Sequence, residues 1–110
     1  MDKLKTHEAF LCKLVSTRAK NTRTLLIKGA KPQQLDAICE IILNTIKGVI
    51  PIEPKLHTKF KKYKLVLRKL VKKCLKKTLR KKLILKYFKL ISDLIAAVLP
   101  ICGLIGAFFG

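Results

Sequence analysis

Apolar side chains return every three or four positions through most of this chain, and strict alternation is scarce. That spacing marks helices with one buried face. The clearest case is KPQQLDAICEIILNTIKG, where Leu35, Ile38, Cys39, Ile42 and Ile46 form a stripe. Pro32 suits a first helical turn, whose N–H groups lack partners anyway, and Gly48 suits a C-terminal stop. Two shorter helices are predicted before it. One runs from Thr6 to Ser16, with Thr6 as N-cap and Ala9, Phe10, Cys12, Leu14 and Val15 on its apolar side. The other is TLLIKGA, capped by Thr22 or Thr24 and ended by Gly29.

VIPIEP interrupts the pattern, because each proline disfavours helical geometry in the residue before it. A further helix is predicted from Pro54 or Lys55 towards Lys77. Phe60, Tyr63, Leu67, Leu70, Val71 and Cys74 share one face, with Lys61, Arg68, Lys69, Lys72 and Lys76 opposite. At about 1.5 Å per residue, such a helix would carry roughly 30 Å of positive surface. Continuing that register would put Lys81 into the apolar stripe, so a new helix is expected from Leu79, with Thr78 as its N-cap. Its stripe runs through Leu83, Tyr87, Leu90, Leu94 and Val98, widened by Ile84, Phe88, Ile91 and Ile95. A narrow polar line of Lys82, Lys86, Lys89 and Asp93 ends there, and the helix is then apolar all round to Pro100. The expectation is an all-α fold: a small bundle of about five helices with a hydrophobic C-terminal helix and tail. Three regions follow: an N-terminal three-helix unit (1–50), a basic amphipathic segment (51–93) and a hydrophobic C-terminal segment (94–110).

Charge then changes the picture. The 110 residues carry 25 Lys and Arg against 6 Asp and Glu, a net charge of +19. Residues 54–92 hold sixteen of those cations and no carboxylate. A helix face that meets only water commonly offsets its lysines with carboxylates one turn away. Their absence points to a polyanionic partner. Lysine outnumbers arginine in this span, and Asn and Gln are missing from it. Point charges neutralise phosphates, whereas Arg, Asn and Gln read bases, so contact with a nucleic-acid backbone, DNA by preference, is expected without base readout. The residues assigned to that contact are Lys61, Lys62, Lys64, Arg68, Lys69, Lys72, Lys73, Lys76, Lys77, Arg80, Lys81 and Lys82. Phe60, Tyr63, Tyr87 and Phe88 are either core residues of the stripe, the commoner fate, or platforms for unpaired bases. KKCLKKTLRKK also fits a nuclear localisation pattern, as any dense basic run does.

The segment LIAAVLPICGLIGAFFG carries no charged side chain. Its seventeen residues reach the low edge of the roughly 17 to 25 that span a bilayer, and Pro100, Gly103, Gly106 and Gly110 interrupt it. It supports an alternative reading, a membrane-active or tail-anchored basic protein that binds anionic lipid. Leu94, Ile95, Val98, Leu99, Ile101, Leu104, Ile105, Phe108 and Phe109 would then insert. The plain counter-reading is that this segment closes the core of the bundle.

Catalytic constellations are missing: there is no carboxylate pair, no nucleophile with a matching base and no glycine-rich phosphate loop. A non-enzymatic protein without cofactor is expected. His7 and His57 are isolated, so no metal site is expected either. Cys12, Cys39, Cys74 and Cys102 lie far apart among apolar residues, and read as small buried hydrophobes of a reducing compartment. MDKLKTHEAF lacks the apolar run of a secretory signal. An intracellular setting follows, nucleus or virion, with membrane association under the alternative reading. The N-terminal helices are expected to act as a folded platform or as a contact between copies in a homo-oligomer.

The order of parts has a parallel. QLDAICEIILNTIKGVIPI, then the lysine-rich KKYKLVLRKLVKK, then a hydrophobic end, resembles the small basic proteins of Maverick/Polinton elements and adintovirus-like DNA viruses. Their layout is similar to that of the adenovirus core protein X (mu) precursor. The resemblance covers about residues 25 to 110. It implies a role in a virion core, packing DNA and touching membrane during entry, carried by the same twelve cations.

Overall fold

The computed structural model of the chain describes residues 6–48 and 52–101, apart from the side chains of 99–101. Seven α-helices and no strand occur among the described residues. In chain order they are α1 (Glu8–Ser16), α2 (Lys20–Lys28), α3 (Pro32–Ile46), α4 (Pro54–Lys62), α5 (Lys64–Leu70), α6 (Lys77–Lys86) and α7 (Phe88–Ile101).

Local chemistry sets several of the ends. Pro32 opens α3, and the Lys31 backbone N–H donates to Gln34 Oε1 at 2.8 Å, one half of a capping box. Gly48 follows that helix at φ 74°, the left-handed geometry that spares glycine a Cβ clash, and its N–H donates to the Thr45 carbonyl at 3.1 Å. Pro54 opens α4 in the same way as Pro32 opens α3. The threonine caps differ from expectation. Helix α2 begins at Lys20, so Thr22 and Thr24 lie within it, and Thr24 Oγ1 donates back to the Lys20 carbonyl at 2.9 Å. Thr78 likewise falls inside the first turn of α6, whose N-cap is Lys76.

The two long helices expected after Pro54 are four. The first breaks at Tyr63 and ends at Leu70, where a loop over 71–76 begins; the second breaks at Tyr87. Tyr63 (φ −109°, ψ 16°) and Tyr87 (φ −106°, ψ 28°) both sit near the bridge region between strand and helix geometry. The breaks let one apolar stripe serve two neighbours. Helix α4 packs on α7, while α5 turns to pack on α3 and α6. A straight rod from Pro54 to Lys77 would aim its stripe along a single line and leave one of these contacts unmade.

At the centre of the packing, α7 meets α1, α3, α4 and α6. Leu90, Ile91, Leu94, Ile95 and Val98 are all buried, the last four of α7's buried apolar set at 0 % exposure. Against them stand Leu11 and Leu14 of α1, Ile38, Ile41 and Ile42 of α3, and Phe60 of α4, within one continuous core. Each such side chain contributes roughly 1.5–3 kcal/mol relative to exposure. The first half of α7 keeps its polar side, with Lys89 exposed and Ser92 and Asp93 half-buried; from Leu94 to Val98 every residue is apolar and only Ala96 is exposed. No helix among the described residues is long and apolar enough to cross a membrane. The radius of gyration, 12.9 Å, matches the ~13 Å of a packed domain near this length.

Candidate nucleic-acid interface

The basic span is folded back on itself, so its cations leave in several directions. Arg68, Lys69, Lys72 and Lys76 line one open groove of about 730 Å³ between α5, the 71–76 loop and the start of α6. Lys76 and Lys77 stand at the N-terminus of α6, where unpaired amide groups add positive potential and no acidic residue answers them. Leu65, Cys74, Leu75 and Leu79 complete this groove. Leu65 is 80 % exposed and Leu79 41 %, so the cations ring an apolar floor open to solvent.

Other members of the expected set point elsewhere. Lys73 and Arg80 line a separate cavity of about 570 Å³ together with Asp36 and Glu40, a surface of mixed sign. Arg80 also has a structural task. Its Nε donates to the Leu70 carbonyl at 3.1 Å and its Nη2 to the Lys72 carbonyl at 2.6 Å. These bonds close the C-terminal end of α5, where a cation also meets the negative end of the helix dipole. Lys81 does the same for α2, donating through Nζ to the Lys28 carbonyl. Lys61, Lys77 and Lys82 are exposed and Lys64 is half-buried. Of the twelve residues, four therefore share a groove, two hold helix ends, and Lys73 and Lys62 each line a different cavity.

Lys62 belongs to a third feature, one the sequence pattern did not single out. With Lys59, Lys86 and Lys89 it surrounds Tyr63 and Tyr87 in a cavity of about 340 Å³. The two rings meet with centroids 5.4 Å apart at an angle of 52°. The signal available in the sequence was the repeated Lys-Tyr pair, 62–63 and 86–87, which periodicity alone assigns to a stripe. Of the four aromatics weighed as base platforms, Phe60 and Phe88 are core residues, with 4 % and 7 % exposure. Phe88 also carries the Arg23 guanidinium over its ring at 4.7 Å, which fastens α2 to the start of α7.

Of the residues assigned to membrane insertion, Leu94, Ile95 and Val98 lie in the core at 0 % exposure. The side chains of Leu99 and Ile101, and all of Leu104, Ile105, Phe108 and Phe109, fall outside the described residues. Insertion of the whole set would require withdrawing the first three from the bundle.

The cysteines divide. Cys12 is buried, and burial raises its thiol pKa, with Glu8 adding to the rise. Burial also pushes the Cys39 thiol up to about 11; the Arg80 guanidinium opposes this and Asp36 reinforces it. Cys74 corrects the expectation of a buried hydrophobe, since it is exposed beside the cationic groove. All three are free thiols, and Cys102 lies outside the described residues. Among the described residues no group of three or more His, Cys, Asp or Glu could hold a metal ion. Comparison of the chain with protein-family models, with curated proteins and with solved structures returns no match.

Proposed function

We propose that this protein is a non-enzymatic, sequence-independent nucleic-acid-binding and condensing protein of a viral or virus-like core. The observation that carries the proposal is the run of sixteen cations without a carboxylate over residues 54–92. The groove of Arg68, Lys69, Lys72 and Lys76 supports it, because those four cations face one open surface. Neutralised phosphates release their counterions, so affinity should fall steeply with salt. The core setting, in a virion or nucleus, rests on the resemblance in layout to the Maverick/Polinton and adintovirus proteins. DNA is the nucleic acid proposed, bound through its backbone.

The test is a salt titration of duplex DNA binding by the full chain. With roughly six to ten phosphates engaged, affinity should drop by about 10³ to 10⁵ between 50 and 200 mM salt. Replacing Arg68, Lys69, Lys72 and Lys76 by Gln should weaken binding and reduce the slope by about one per cation. Affinity and slope unchanged in that variant would exclude the groove as the binding surface.

One observation favours a second reading, that the same groove docks on anionic lipid. Exposed Leu65 and Leu79 ringed by lysines combine an apolar patch with about 1 kcal/mol of attraction per cation near such a surface. Vesicles of matched anionic charge separate the two. Binding that survives high salt and is lost in Leu65→Ser/Leu79→Ser would select the lipid, because phosphate contact alone is salt-labile.

A further inference from the structure

Tyr63 and Tyr87 come from opposite ends of the basic span, 24 positions apart, and the helix breaks bring their rings together. Lys59 and Lys62 of α4, Lys86 of α6 and Lys89 of α7 all line the same cavity as the pair. We propose that this cavity holds an unpaired nucleotide of a nucleic-acid strand, its base against the tyrosine rings and its phosphate among the four lysines. The inference rests on the nucleic-acid reading above and adds to it a preference for single-stranded segments.

The composition of the site selects this ligand. Both tyrosines are half-buried and line the cavity, unlike the enclosed Phe60 and Phe88. The rings meet at 52°, tilted rather than stacked face to face, so the pair offers a bent aromatic surface against which a further flat group can pack. The Lys62 ammonium lies over the Tyr63 ring, 5.6 Å from its centre, and the Lys86 ammonium over the Tyr87 ring at the same distance. Both lysines are exposed on flexible stems, so an arriving base can displace each ammonium from the ring face onto the attached phosphate. Four cations line the cavity against the single carboxylate of Asp93, which leaves a clear excess for an anion. Its volume falls within the roughly 300–1,000 Å³ of small-ligand sites. A simple anion would use the lysines and leave the rings idle; an apolar ligand would strip the lysines of water with nothing in return. A duplex keeps its bases stacked on one another and offers only phosphate, whereas an open strand offers both.

The chain has two tyrosines and no tryptophan, so its intrinsic emission reports this pair alone. The experiment titrates the full chain with oligo-dT and with a duplex of equal phosphate count. Binding is followed by the anisotropy of labelled DNA, and the site by tyrosine emission. Oligo-dT should saturate with a change in tyrosine emission, and the duplex without one. Tyr63→Leu/Tyr87→Leu should keep duplex affinity and lose about fivefold or more for oligo-dT, the lower end of what one stacked base contributes. Tyr63→Phe/Tyr87→Phe, which retains the ring faces, should keep the preference. Oligo-dT saturation with unmoved wild-type emission overturns the site and leaves the phosphate reading standing; that result needs no variant to fold. An unchanged ratio of single-strand to duplex affinity in the leucine variant overturns it likewise. If neither DNA binds, the nucleic-acid reading falls and the site with it. Should AMP reproduce the emission change at the same nucleotide concentration as oligo-dT, the site belongs to free nucleotides, and the strand is overturned as its ligand.

Discussion

Arg80 and Lys81 are adjacent cations whose heads turn onto backbone carbonyls, of Leu70 and Lys72 in one case and Lys28 in the other. A residue count therefore overstates the charge that a phosphate would meet. The same holds for Lys73, which shares its cavity with Asp36 and Glu40. Thiols show the converse, a residue more available than its apolar neighbours suggest. In a Cys102→Ser background at pH 8, a disulfide reagent should titrate exposed Cys74 first, half-buried Cys39 more slowly because its thiol holds its proton, and buried Cys12 only as the fold opens. The sign follows from the shifts. The Cys12 and Cys39 thiols are both raised, so the folded state holds their protons more tightly than the unfolded chain. Their contribution to stability is complete below the ordinary value of 9.0 and for Cys39 is lost as the pH climbs from there towards about 11. Rapid labelling of all three thiols at pH 8 in the folded protein would contradict this.

Among the elements, α5 is short and ends without a glycine or proline, so its C-terminal carbonyls depend on Arg80. Arg80→Met should cost about 1–3 kcal/mol, since it removes two charge-assisted bonds from a partly exposed site. That corresponds to a drop of roughly 4 °C or more in the thermal midpoint. Arg80→Lys should recover only part of the loss, because an ammonium cannot reach both carbonyls as the planar fork does. A midpoint unchanged in Arg80→Met would remove the capping role. What local chemistry punctuates was legible beforehand: Pro32, Gly48 and Pro54 mark helix ends in the sequence and in the structure. The breaks at Tyr63 and Tyr87 were not, because neither has a breaker residue and both answer to the positions of other helices. The candidate site suffered most from this. With α4 and α5 read as one rod, the cations share a face, and Lys59, Lys86 and Lys89 have no reason to be placed together.

For the molecule as a whole, a net charge of +19 on 12.5 kDa is a standing load on the fold. Self-repulsion favours expansion, and it is screened over about 10 Å at 0.1 M salt. Raising NaCl from 50 to 200 mM should therefore raise the thermal midpoint while it weakens DNA binding, two opposite responses to one variable. Saturating DNA at a hundred times its Kd should add about 2.7 kcal/mol of apparent stability. A midpoint insensitive to both salt and DNA would mean that self-repulsion does not limit the stability of the fold and that DNA does not bind its folded state. The central place of α7 bears on a different question, the order of events during synthesis. Helices α1 and α3 find their main apolar partner in a segment translated some forty to eighty residues later. At about 5–20 residues per second, their hydrophobic faces wait for seconds beside the ribosome, itself a polyanion. Because Phe88 to Val98 follow every helix they pack on, the core of this bundle closes only once α7 has been made, with the lysines that precede it free to meet RNA before that core exists.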